Sequence, residues 1–162
     1  MKYIAIFILF VISLSCKEKV FEPTNENFYG QYITYIPEKE KYLIVLLQEV
    51  DRSDNKVKVS VGYSNSTSEK DASFEVFEPV NLSGSKFHVE KSFEGWFSYS
   101  SVYVLLTGTF TLDGEVKSDQ KLYMETKNTP NSGQSGLEDL PNDMSAFKLN
   151  KFILNRVENG IY

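Results

Sequence analysis

Apolar and polar residues alternate over long parts of this chain, which is the pattern of β-strands that bury one face. The clearest alternation spans residues 57–63, where Val and Tyr alternate with Lys, Ser and Gly. Residues 42–50 are instead apolar on both faces, as a strand covered on both sides would be. Their Leu, Gln and Glu also suit a helix, but Ile44, Val45 and Val50 are β-branched and favour a strand.

Turn-forming residues divide the rest of the chain into further short segments. We expect strands over residues 32–36, 42–50, 57–63, 74–77, 86–90, 102–112, 121–126 and 146–157. Asp113-Gly114 predicts a tight turn that ends the sixth of these strands. Two Pro and two Gly predict a long loop over residues 128–142, with one helical turn at residues 137–140.

About eight strands without a clear amphipathic helix predict an all-β domain, a single antiparallel up-and-down barrel or a sandwich. Closing such a sheet into a barrel removes its exposed strand edges, which benefits a secreted monomer. The aromatic content of 14% agrees with this fold class, because aromatic residues suit a pleated, half-buried surface.

The first sixteen residues have the three parts of a secretory signal. Lys2 supplies a positive start, residues 4–12 are an unbroken apolar run, and Ser13-Leu14-Ser15-Cys16 follows with small and polar residues. A helix that spans a bilayer needs about 20 apolar residues, roughly twice this run. A cleaved signal peptide over residues 1–15 is therefore favoured over a permanent transmembrane helix.

Ser13-Leu14-Ser15-Cys16 resembles the lipobox of bacterial lipoproteins, although Ser13 stands where that family prefers Leu, Val or Ile. The resemblance implies cleavage between Ser15 and Cys16, a diacylglyceryl group on the Cys16 thiol, and a fatty acid such as palmitate on the new amine. Two or three acyl chains give stable anchoring, whereas one chain gives only marginal binding. An ordinary cleaved signal without lipid is the alternative.

Residues 16–27 predict a flexible polar tether, because Pro23 and the surrounding Asn, Thr and Glu oppose regular structure. Lys17-Glu18 follows Cys16, and the Asp that often follows it in inner-membrane lipoproteins is absent. We therefore expect a cell-envelope protein at the outer membrane more than at the inner one. Residues 28–162 form the expected barrel or sandwich domain.

Charge and cysteine content narrow the classes of partner and site. The formal net charge is −5 without a basic stripe, so no nucleic-acid partner is expected and membrane attachment must come from the N-terminal lipid. Cys16 is the one cysteine, which excludes a disulfide within the chain and a multi-thiolate metal site.

A second resemblance lies at the start of the expected domain. Phe28-Tyr29-Gly30-Gln31-Tyr32 is similar to the Phe-x-Gly-x-Trp/Tyr opening of lipocalins and fatty-acid-binding proteins. The resemblance implies a barrel in which Gly30 allows a tight backbone entry and Tyr32 plugs the barrel floor.

The residues offer little for catalysis. His88 is the only histidine, and it lies between Phe87 and Val89 on the opposite strand face, so a solvent-facing or hydrogen-bonded structural role is expected. No Gly-x-Ser-x-Gly nucleophile motif occurs, and zinc sites use several His or Cys ligands. Asp51, Asp54 and Asn55 fit a hairpin turn better than a calcium loop. We expect no catalytic residue, metal or cofactor.

Residues 91–101 are rich in aromatic residues, Ser and Gly. If exposed, Trp96, Phe97 and Tyr99 would form a surface for an apolar ligand, a sugar face or a partner protein. In the alternative interpretation, Phe93, Phe97 and Tyr99 alternate inward as core, which leaves Trp96 on the other face.

These features favour a non-enzymatic, lipid-anchored envelope protein whose barrel binds a small apolar ligand or an envelope partner. One alternative is a structural or host-facing surface lipoprotein with a filled barrel. A second is a hydrolase with an unrecognised carboxylate site. A cavity of roughly 300–1,000 Å³ would separate the first interpretation from a filled barrel.

Overall fold

A computed structural model describes residues 28–51, 55–99, 102–133 and 149–157, with only the backbone described at residues 97–99 and 102. Nine strands occupy these ranges, joined in part by two short 3₁₀ turns at Pro37–Lys39 and Glu69–Asp71. The strands are β1 Gly30–Ile36, β2 Lys41–Glu49, β3 Lys56–Ser64, β4 Ser73–Val76, β5 Val80–Ser83, β6 Lys86–Tyr99, β7 Val102–Val116, β8 Lys121–Pro130 and β9 Asn150–Arg156.

The strands form a closed antiparallel barrel of eight strands with β4 as an additional ninth strand. Chain order and spatial order agree around the barrel, from β1 through β2, β3, β5, β6, β7 and β8 to β9, which returns to β1. This topology confirms the predicted all-β class and is consistent with a lipocalin-like, up-and-down barrel. None of the helical turns in the described residues is long and apolar enough to cross a membrane.

The inward-facing side chains form one apolar core. It is built from the alternate residues of each strand, which is why the period-2 pattern of residues 57–63 was informative. The buried members are Phe28, Tyr32, Leu43, Val45, Leu47, Val57, Val59, Phe77, Leu82, Phe87, Val89, Leu112, Val116, Leu122, Met124 and Leu154.

The two ends of the barrel differ. At the packed end, where the chain enters β1, Phe28 and Tyr32 are fully buried, and the Tyr32 hydroxyl donates a hydrogen bond of 2.7 Å to the Phe28 carbonyl oxygen. Arg156 Nη2 donates a bond of 3.0 Å to the Tyr29 carbonyl oxygen at the same end. At the open end, where β1 finishes, the β6–β7 hairpin continues past its neighbours.

The predicted turn at Asp113-Gly114 was wrong. Both residues lie inside β7, with Gly114 opposite Phe87, and the turn falls at residues 117–120. A Cβ atom at Gly114 would stand 2.2 Å from Cζ of Phe87, so the glycine makes room for this ring. Gly108 stands in the same relation to Phe93, with the nearest ring carbons 2.7 Å from a Cβ atom. The glycines therefore serve ring packing across the sheet and not a turn.

Other boundaries also differ from the prediction. The strand expected at residues 86–90 continues to Tyr99, and β8 continues through the expected start of a loop to Pro130. The short strand β5 was not predicted as a separate element. The helical turn expected at residues 137–140 and the first residues of the segment 146–157 lie outside the described residues.

Candidate functional site

The β6–β7 hairpin is the most distinctive part of the open end. Its ladder contains fourteen facing residue pairs, whereas in the described residues the β7–β8 ladder reaches Gly108, opposite Pro130, with one more backbone hydrogen bond from Asn131 N to the Thr107 carbonyl oxygen. Beyond that pair β7 extends six more residues, or about 20 Å at 3.3 Å per residue. We call residues 95–99 and 102–106 the arm.

The outer face of the arm carries an exposed apolar surface. Trp96 lies directly opposite Leu105, with Tyr103 diagonally across from it. Their exposed fractions are 69%, 42% and 71%. The inner face differs, because Val104 and Leu106 are buried. We call Trp96, Tyr103 and Leu105 the aromatic surface.

Alternation along the strand predicted that Trp96 and Phe93 lie on opposite faces of the sheet. Trp96 lies on the solvent side, as predicted. Phe93 is half-buried on the inner side. Phe97 and Tyr99 lie in β6, but their side chains are outside the described residues, as are Ser15 and Cys16. Tyr103 and Leu105 were missed as site residues. Their odd numbering, opposite in parity to the buried Leu112, was the signal that could have placed them on the outer face.

A shallow polar pocket of about 340 Å³ continues the same outer face toward the middle of the barrel. Glu94 and Thr107 face each other next to Trp96 and Leu105, and Ser92 and Thr109 form the next pair. Asn131 completes the polar lining, and its Nδ2 donates a bond of 3.2 Å to Oγ1 of Thr107. Hydroxyl, carboxylate and amide groups therefore adjoin an exposed indole.

A second pocket, of about 370 Å³, lies at a seam between β4 and β6. In the described part of the chain β4 pairs only with β3, and the seam is crossed by an ion pair of 2.5 Å between Lys91 Nζ and Glu75 Oε1. The Lys91 amine also lies 5.9 Å from the ring centre of Phe77. Phe93, Phe110 and Asn128 contribute to the wall.

Below this pocket the barrel interior is occupied by side chains. The rings of Phe77 and Phe110 are stacked, with centres 5.9 Å apart and planes at 12°. The inward residues between this stack and the packed end belong to the apolar core. In the part of the barrel that the structure describes, a ligand at the open end would therefore contact the seam pocket or the arm.

His88 takes the hydrogen-bonded, solvent-facing position expected of it. Its Nδ1 lies 2.8 Å from Oδ1 of Asp113 on the outer surface, and Nε2 lies 3.9 Å from Oε2 of Glu90. No group of three potential metal ligands of the His, Cys, Asp or Glu type is found among the described residues. Of the acidic turn, Asn55 donates a bond of 3.0 Å to the Leu82 carbonyl oxygen, and Asp54 lies outside the described ranges.

Two tyrosines at the packed end have raised pKa values, which bear on the stability of the fold and not on binding. Burial raises the pKa of Tyr32 to about 12, and the nearby Arg156 cation partly opposes this shift. Burial, and secondarily the Glu49 carboxylate, raises the pKa of Tyr29. In the exposed β7–β8 turn, a hydrogen bond to the Asp119 carboxylate raises the pKa of Tyr123. None of these groups lies on the arm.

No protein-family model matches this chain, and comparisons with curated proteins and with solved structures also found no match.

Proposed function

We propose that this protein is a lipid-anchored lipoprotein of the bacterial cell envelope, at the outer membrane, with a non-enzymatic binding domain that engages an envelope partner through its open end. The observation that carries the binding part is the aromatic surface. It exposes two large aromatic residues and Leu105 on a ladder whose outer face otherwise carries polar pairs such as Glu94 with Thr107. Isolated exposed apolar residues are common, but a contiguous group on an extended element marks an interaction site.

The anchor is supported by the signal anatomy before Cys16. The first described residue, Phe28, lies at the packed end, which is the end of the barrel opposite the arm. Residues 17–27 reach at most about 36–40 Å when fully extended. This arrangement favours a packed end near the bilayer and an arm that points into the surrounding space.

A small apolar ligand is a second candidate for the binding function. The seam pocket supports it in part, because its volume of about 370 Å³ is within the range of small-molecule sites and Phe93 and Phe110 supply apolar walls, while its other lining residues are polar or charged. The apolar core below the seam pocket favours a position for such a ligand at the open end. An envelope partner on the arm is the better-supported choice, since the side chains of Trp96, Tyr103 and Leu105 are exposed there.

The anchor is tested by metabolic labelling with radioactive palmitate in a bacterial host. The wild-type chain is expected to incorporate label and to fractionate with the outer membrane. Cys16→Ala should lose both the label and the membrane association, because no thiol remains to carry the diacylglyceryl group. Lys19→Ala, three residues away in the tether, is the matched control and should behave as wild type. An unlabelled wild-type chain that remains in the soluble fraction would refute the anchor.

A further inference from the structure

We propose that the outer face of the β6–β7 hairpin binds a neutral glycan chain, with Trp96 as the stacking platform and the adjoining polar pocket as the hydrogen-bonding part. This inference deepens the proposed binding role of the open end, and so rests on it, but it is independent of the lipid anchor.

The facing pairs on the outer face of the hairpin change from polar to aromatic along its length. Successive facing pairs on the outer face are Ser92 with Thr109, Glu94 with Thr107, and Trp96 with Leu105. From Ser92 to Trp96 the strand advances about 13 Å at 3.3 Å per residue. The surface is therefore an elongated strip, polar at one end and aromatic at the other, which suits an oligosaccharide better than a single sugar ring.

The chemical groups of the strip match those of a sugar ring. A pyranose ring has an apolar face of C–H groups and a rim of hydroxyl groups. The electron-rich face of an indole attracts such polarised C–H groups, as it attracts the positive edge of another ring. Carboxylate, hydroxyl and amide groups beside the indole can accept and donate hydrogen bonds to the rim. Glu94 provides the carboxylate next to Trp96, and the Thr107 hydroxyl and Asn131 amide beside it are already joined by a hydrogen bond that fixes their positions.

Charge selects a neutral glycan. Glu94 is the one charged side chain that lines the polar pocket, whose other lining residues are Ser92, Phe93, Thr107, Gly108, Thr109 and Asn131. An acidic polysaccharide would meet this carboxylate, and Lys91, the cation that lines the adjoining seam pocket, is already paired with Glu75. The chain as a whole carries a net charge of −5, which adds to the repulsion.

The size of the aromatic surface favours a narrow glycan as the envelope partner over a large protein interface. Specific protein complexes bury about 800 Å² per partner, formed by about 20–30 residues on each side. Three exposed apolar side chains followed by a polar strip provide much less. A glycan needs only a narrow strip of this kind. The continuous ladder and the buried inner residues Val104 and Leu106 hold the strip in place before binding, which lowers the entropic cost of association.

The single tryptophan makes a direct test possible. The protein is purified from the cells that express it, with or without lipid, and is held in polyoxyethylene detergent, because a maltoside detergent would itself present sugar rings. It is titrated with three neutral hexasaccharides: cellohexaose, laminarihexaose and the β-1,4-linked hexamer of N-acetylglucosamine. At least one should cause a saturable blue shift of the Trp96 emission, since a stacked sugar removes water from the exposed indole. Polygalacturonate of similar length should cause none.

Variants assign the binding to the strip, with isothermal titration calorimetry as the readout because Trp96→Ala removes the fluorophore. Trp96→Ala should weaken binding of the responding hexasaccharide about tenfold, as expected for an aromatic contact worth about 1.4 kcal/mol. Trp96→Tyr should retain part of the affinity. Glu94→Gln should reduce the ratio of the affinity for neutral hexasaccharides to the affinity for polygalacturonate, because it removes the repelling carboxylate. Tyr35→Ala removes an aromatic residue that is 49% exposed on another strand and should bind as wild type.

Several results would overturn the proposal. Absence of saturable binding for all three neutral hexasaccharides would do so, as would equal binding by Trp96→Ala or by polygalacturonate. A concentration-dependent dimer in sedimentation that disappears in Trp96→Ala would assign the surface to a second copy instead. Palmitate labelling separates the two proposals: a labelled protein without sugar binding loses only the glycan inference. A sugar-binding protein without label loses only the anchor.

Discussion

The packed and open ends of the barrel share the same strands but use them differently. In β7, Leu112 and Val116 point into the core and are fully buried, whereas Tyr103 and Leu105 at the other end of the strand lie on the exposed outer face. The packed end resembles the interior of any stable domain. The open end has the stacked rings of Phe77 and Phe110, the seam between β4 and β6, and the arm. The difference indicates that stability is concentrated near the chain entry, which leaves the arm able to carry exposed apolar residues.

The largest difference should appear between two leucines of β7. Leu112→Ala removes a fully buried side chain and should lower the free energy of unfolding by about 2–5 kcal/mol, because it leaves a cavity in the core. Leu105→Ala, at a site 42% exposed, should change it by no more than about 0.5 kcal/mol. Urea unfolding followed by far-ultraviolet circular dichroism measures both. Similar losses for the two variants would abolish the distinction between the ends.

Alkaline pH should lower the free energy of unfolding through Tyr32 at the packed end, by less than the largest loss expected for Leu112→Ala. The Tyr32 pKa rises from 10.0 in the reference state to about 12 in the folded protein, so folding favours its protonated form. This contribution is fully present below pH 10 and is lost as pH rises through 12. The loss approaches about 2–3 kcal/mol, at about 1.4 kcal/mol per pKa unit.

Urea midpoints measured from pH 9 to pH 12 test this prediction. Tyr32→Phe should start less stable by about 1 kcal/mol, because it lacks the hydrogen bond to the Phe28 carbonyl oxygen, but should lose less stability at high pH. Tyr103→Phe is the control at the open end and should follow the wild-type profile, since its ring is exposed in the folded protein. Parallel profiles for wild type and Tyr32→Phe would contradict the assignment.

The smallest effect is expected at the seam. The side chains of Lys91 and Glu75 are 54% and 56% exposed, so their ion pair should contribute less than about 1 kcal/mol. A double-mutant cycle of Lys91→Gln and Glu75→Gln in the urea assay measures the coupling, and high salt should reduce it further. A coupling above about 2 kcal/mol would show that the ion pair joins β4 and β6 strongly. The open end would then be stabilised more like the packed end than we expect.

Local patterns predicted most strands because alternation along a strand is a property of neighbouring residues. Residues 57–63 became the centre of β3, and the β-branched residues of 42–50 correctly favoured a strand over a helix. Trp96 was placed on the outer face by the same alternation. His88 was likewise placed by its two apolar neighbours.

The errors came from interactions between distant residues. Asp113-Gly114 has the composition of a tight turn, yet Gly114 accommodates the ring of Phe87, which lies on the neighbouring strand. The continuation of β6 through an aromatic, Ser-rich segment was missed because its support comes from pairing with β7. The seam between Glu75 and Lys91 joins residues sixteen positions apart and has no local signature.

The sequence by itself determined the all-β class, the approximate strands and the outward position of Trp96, because these depend on which residues alternate over short distances. Only the tertiary structure decided that the sheet closes, that its interior is filled, and that Tyr103 and Leu105 join Trp96 beside a polar pocket. Those features depend on cross-strand register and on side-chain volumes that meet across the barrel, and neither quantity is fixed by any short segment of the chain.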